Sequence, residues 1–138
     1  MNTQKLTRGQ LERTLSQRVQ SLYRTFLGHQ PSKVSCQLFD EKLTIVIENS
    51  VTQLEHLLVE EGNRHLAVQV REDLNQLIEP RIRELIESVV ETEVLDLLSD
   101  ATLETGRTGM IAILQEPPDT RPSSSRRISS PRPGTISA

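Results

Sequence analysis

Residues 56–65 read HLLVEEGNRH, with two histidines bracketing a pair of glutamates. Imidazole and carboxylate at this density are what a metal site or an acid–base pair is built from. On a helix His56 and Glu60 stand one turn apart and can share an ion. Two ligands do not close a zinc shell, however, and no cysteine or third histidine lies near in the sequence. Glu61-Gly62-Asn63 also reads as a helix end, because glycine takes the left-handed conformation that stops a helix. We therefore read the stretch as a joint between two helices, with His65 opening the second. No metal or other cofactor is expected there.

Other reactive groups fare no better. Cys36 alternates with polar neighbours and shares a strand face with Val34 and Leu38, so it reads as a small buried hydrophobe rather than a nucleophile. No G-x-S-x-G turn, Walker glycine loop or dinucleotide-binding glycine pattern occurs. The segment TGRTG, 105–109, places Arg107 between two glycines and has the makings of a phosphate contact. A hairpin turn asks for the same residues, and we read it as a turn. Asp96 and Asp100 fall on one side of a strand, where solvent-facing aspartates are the common case. The chain is expected not to be an enzyme.

The elements follow from periodicity. Leu11, Leu15, Val19, Leu22, Tyr23, Phe26 and Leu27 mark one helical face over 8–28, which Gly28 ends and Pro31 keeps from resuming. Val34, Cys36, Leu38 and then Leu43, Ile45, Ile47 alternate with polar residues, two strands joined at Asp40-Glu41-Lys42. Ser50 with Gln53 reads as a capping box for a short helix that turns Leu54, Leu57 and Leu58 inward. After Gly62-Asn63 a long helix follows, with Leu66, Val70, Leu74, Leu77, Ile78, Ile82, Leu85, Ile86 and Val89 apolar. Pro80 lies inside it and is expected to kink it. VLDLLSDATL and GMIAIL form a second hairpin. The sum is an α+β domain over 1–116: helix, hairpin, short helix, long Pro-kinked helix, hairpin, with a four-stranded antiparallel sheet covered by helices on one face. Residues 117–138, rich in Pro, Ser and Arg, read as a disordered tail.

Composition narrows the function classes. The only aromatics are Tyr23, Phe26 and Phe39, so the core is aliphatic and base-stacking platforms are missing. A lone cysteine, no apolar run of about 18 residues and a polar N-terminus point to the cytoplasm. The net charge of −3 is unevenly spread: residues 1–33 carry six basic side chains and one acid, 34–116 six and seventeen, 117–138 four and one. Arg13, Arg18 and Arg24 with the tail arginines make nucleic-acid binding the runner-up reading. RRIS, Arg126–Ser129, resembles a basophilic kinase site. The leading reading is an interaction protein. Past Pro80 the apolar stripe widens, and Ile82, Ile86 and Val90 are the expected contact surface for a homodimer.

Three segments together carry a family resemblance. They are YRTFLGHQPSKV with Leu27-Gly28, Pro31 and Val34; VEEGNRHL with its helix joint; and VLDLLSDATLETGRTGMIAIL with its Ser-Asp strand and hairpin. In order and spacing, residues 8–116 resemble the MpsC-like family of small bacterial proteins. The resemblance implies membership in a sodium-translocating, membrane-potential-generating system related to inorganic carbon uptake. It implies no catalytic residues. A chain without a membrane span would be a peripheral member of such a transport system.

Overall fold

The computed structural model describes residues 5–122. Helix α1, Arg8–Leu22, starts at a reciprocal cap: the Gln10 amide donates to Thr7 Oγ1 at 3.1 Å and the Thr7 amide donates to Gln10 Oε1 at 2.9 Å. Leu11, Leu15, Val19 and Tyr23 recur every fourth residue and are all buried. The last turn, Tyr23–Leu27, widens to a π-helix and stops at Gly28, whose φ of 68° suits a residue without a side chain.

Strands β1, Lys33–Phe39, and β2, Lys42–Glu48, form the first hairpin. Two helices follow, α2, Gln53–Glu60, and α3, Arg64–Val90, and then the second hairpin of β3, Val94–Thr102, and β4, Arg107–Leu114. The sheet is antiparallel in the order β1-β2-β4-β3, so β4 inserts beside β2 and the hairpins join through their inner strands. This is the α+β arrangement expected from the sequence. Cys36, Leu38, Leu43, Ile45, Ile47, Met110, Ala112 and Leu114 line its buried face.

That face is covered by α1 and by the second half of α3, and here one expectation is overturned. Ile82 and Ile86 are fully buried and Val90 nearly so, all within the main core. They are not a surface for a second copy. Counting back from Val90 in fours gives Ile86, Ile82 and Ile78, all buried. Each such step drifts about 40° round the helix, so the row runs obliquely, and the sheet on one side and α1 on the other cover all of it. The helix continues through Pro80, which lies inside it. Pro80 and Gln76 are both exposed, so the carbonyl that loses its intrahelical donor lies on the solvent side.

Two further expectations are corrected in the first helical pair. The capping box is Thr52 with Glu55, not Ser50 with Gln53. Leu54 and Leu57 point outward, and only Leu58 turns partly in. Past β4 the chain returns to the N-terminal segment. The Arg121 amide donates to the Leu6 carbonyl at 3.0 Å, and Lys5 pairs with Asp119 at 2.7 Å. Residues 117–122 therefore pack with the domain. The remainder of the tail, with Arg126–Ser129, lies outside the described residues.

Candidate functional site

The joint at HLLVEEGNRH is a helix turn. The Asn63 amide donates to the Leu58 carbonyl at 2.7 Å and the Gly62 amide to that of Val59 at 3.1 Å, with Gly62 at φ 80°. These two bonds are the Schellman closure of α2. His56, Glu60 and His65 are exposed. No three His, Cys, Asp or Glu side chains among the described residues are grouped to hold a metal ion. TGRTG is the β3–β4 turn, with Gly106 at φ 73° and Arg107 paired to Glu48 at 2.7 Å. Asp96 and Asp100 are exposed on the strand. Cys36 is buried, and desolvation raises its thiol pKa, with nearby Ser16 opposing the shift.

Below the α2–α3 turn lies a polar cluster that periodicity does not reveal. Glu55 on α2 is fully buried and Arg71 on α3 is 5% exposed. Arg71 Nε donates to Glu55 Oε2 and Arg71 Nη2 to Glu55 Oε1, both at 2.7 Å, a bidentate fork. Nη2 also donates to the Ser50 carbonyl at 2.9 Å and Nη1 to Asn75 Oδ1 at 3.3 Å. Glu55 in turn accepts from the Thr52 amide at 2.9 Å and hydroxyl at 2.8 Å. Ser50 extends the network to the sheet. Its amide and hydroxyl donate to the Gly106 carbonyl, and its hydroxyl shares a hydrogen bond of 2.7 Å with Thr108. The buried charges are thus paired, and four of the five Arg71 N–H donors have acceptors, the condition under which such a pair is tolerated.

Tyr23 ends the cluster. Its hydroxyl is buried with no partner at hydrogen-bonding geometry among the described residues, although Arg71 and Thr108 lie near enough to act on it. Burial raises its pKa above the ordinary phenol value, and the charge of Arg71 only partly opposes this.

The cluster holds an arm. α2 packs on α3 rather than on the sheet, over a small apolar centre of Val51, Ala67 and Leu103. The outer side of this arm carries exposed leucines. Leu54, Leu57, Leu66 and Leu77 are each exposed by 43% or more. Leu66, Val70 and Leu77 lie within about 40° of each other round α3. Leu54 and Leu57 flank a shallow groove on α2 with His56 and Glu60. These leucines, rather than Ile82, Ile86 and Val90, are the free apolar helix surface.

The basic residues do not form one strip. Arg13, Arg18 and Arg24 are exposed. Arg13 and Arg18 diverge by about 140° round the helix, while Arg13 and Arg24 lie within about 20° of each other. Arg18 turns into an open groove between α1 and α3, near Arg81, whose guanidinium stacks on Phe26 at 4.2 Å. No helix among the described residues is long and apolar enough to cross a membrane.

No curated protein and no solved structure matches the chain. A family model does: the one described as "Na+-translocating membrane potential-generating system (MpsC)" matches residues 7–116, the whole of the αββααββ unit, and the chain belongs to that family.

Proposed function

We propose that this chain is a non-catalytic cytoplasmic accessory component of a Na+-translocating, membrane-potential-generating system. It acts as a homodimer that presents the leucine face of α2 and α3 to a membrane-embedded partner. The observation that carries this reading is the arm itself. Four leucines stay in solvent on helices whose inner side is fixed by a buried, bidentate Glu55–Arg71 pair. Exposed apolar clusters of this kind mark contact surfaces. The family membership supplies the system. Nucleic-acid binding is the second reading, weakened because Arg18 turns away from Arg13 and Arg24 and the domain they sit on is acidic.

The test is functional. Membrane vesicles from host cells lacking the protein should lose the Na+-dependent part of their potential. Wild-type protein should restore it, and a folded Leu57→Glu/Leu77→Glu variant should not. An unchanged potential in the deletion strain would overturn the reading.

A further inference from the structure

The helices cover one face of the sheet and leave the other open. In a sheet with one solvated face the outward positions are usually polar. Here they are not. Strand pairing places Ile111 between Thr44 and Leu98, and Ile113 between Lys42 and Asp96. Leu98 is 59% exposed and Ile111 is 43% exposed, with Val46 diagonal to Ile111 and Ile113 two residues along β4. The centre of the open face is therefore apolar. Its rim is charged in a particular way, with Lys42 on β2 and Asp96 on β3 at the same level on either side of β4.

We propose that this open face is the homodimer interface, with the twofold axis running along β4. The inference rests on the homodimer reading above and names its surface. Two sheets stacked face to face lie about 10 Å apart with strands nearly aligned. Rotation about β4 lays each copy's β4 over the other's, and each β2 over the other's β3. Ile111 and Ile113 then meet their own counterparts at the centre. Lys42 meets Asp96 of the second copy, and by symmetry Asp96 meets Lys42, so each ion pair forms twice. Within one chain the two are not paired among the described residues. They are two strands apart, about 10 Å, with Ile113 between them. The carboxylate Lys42 reaches in its own chain is its exposed neighbour Glu41 at 3.3 Å. A row of lysine, isoleucine and aspartate is its own complement under this operation, which is what an isologous contact requires.

The experiment is sedimentation velocity on the full chain over the micromolar range, with Lys42→Glu, Asp96→Lys and the double swap. Both positions are exposed, and matched thermal melts verify that each variant stays folded. Each single variant should weaken the dimer about tenfold or more, since two attractions become two repulsions. The double swap should return it to within about threefold of wild type by the same arithmetic. A dimer indifferent to the single variants overturns this surface and leaves the homodimer reading standing. Single variants that weaken it without rescue by the swap overturn the axis along β4. A wild-type chain that stays monomeric at about 100 µM, some 5.5 kcal/mol, overturns both.

Discussion

An Ile86→Glu variant is expected not to fold. Ile86 is fully buried between the sheet and α1. Deleting an isoleucine side chain from a packed core alone costs about 2–5 kcal/mol. Glutamate adds an unpaired carboxylate where no donor waits for it, at a further few kcal/mol. A domain of this size has about 5–15 kcal/mol in total. Urea titration followed by far-ultraviolet circular dichroism should find no folded baseline for the glutamate variant. Ile86→Val should keep the fold with a loss of about 0.5–1.5 kcal/mol. A soluble, folded Ile86→Glu monomer would instead put Ile86 on a subunit surface and remove it from the core.

Arg71→Met should be nearly as damaging. It leaves the Glu55 carboxylate buried without its guanidinium and leaves the Ser50 carbonyl without a donor. Removing one member of a buried pair costs about 3–5 kcal/mol. Glu55→Leu on its own should cost a similar amount, since it strands the arginine and also breaks the α2 cap at Thr52. Combining the two should recover much of the loss, because apolar replacement of a whole buried pair is often close to neutral. Recovery should stay incomplete by about 1 kcal/mol, the worth of a helix cap. Unfolding free energies for the four-member cycle check this. A coupling energy near zero would mean that Glu55 and Arg71 do not depend on each other.

How much of this was open to a reader of the sequence depends on which side chains carry the information. Alternation in 34–38 and 43–47 and the four-residue spacing of Leu11, Leu15 and Val19 are repeated apolar signals, and they place the hairpin and the first helix on their buried faces. The second hairpin and the sheet follow for the same reason. The first half of α3 defeats that logic. It carries two candidate rows, Leu66-Val70-Leu74-Leu77 and Ala67-Arg71-Ile78, and hydrophobicity selects the first. The second is the buried one. Its legible signal is continuity: Val90, Ile86, Ile82 and Ile78 lead back along the same row to Arg71 and Ala67. A charged residue in line with a core row implies a buried partner. The partner is Glu55, sixteen residues away across a turn, and no local pattern announces that distance. Thr52-Gln53-Leu54-Glu55 is also as good a capping box as Ser50-Val51-Thr52-Gln53, and only the burial of Glu55 decides between them. Two separate readings reversed the surface, the capping box on α2 and the widening stripe after Pro80 on α3. They assigned Ile82, Ile86 and Val90 to a partner and Leu54 and Leu57 to the core.

Each leucine of the arm can be asked directly what it touches. A photoreactive amino acid placed at Leu57 or Leu77 in the native host, with Gln17 on the exposed side of α1 as control, reports the neighbour after illumination of intact cells. The account predicts crosslinks from Leu57 and Leu77 to a membrane-embedded component of the Na+-translocating system and none from Gln17. Crosslinked product from Gln17 but none from either leucine, in cells whose Na+-dependent potential is intact, would contradict it.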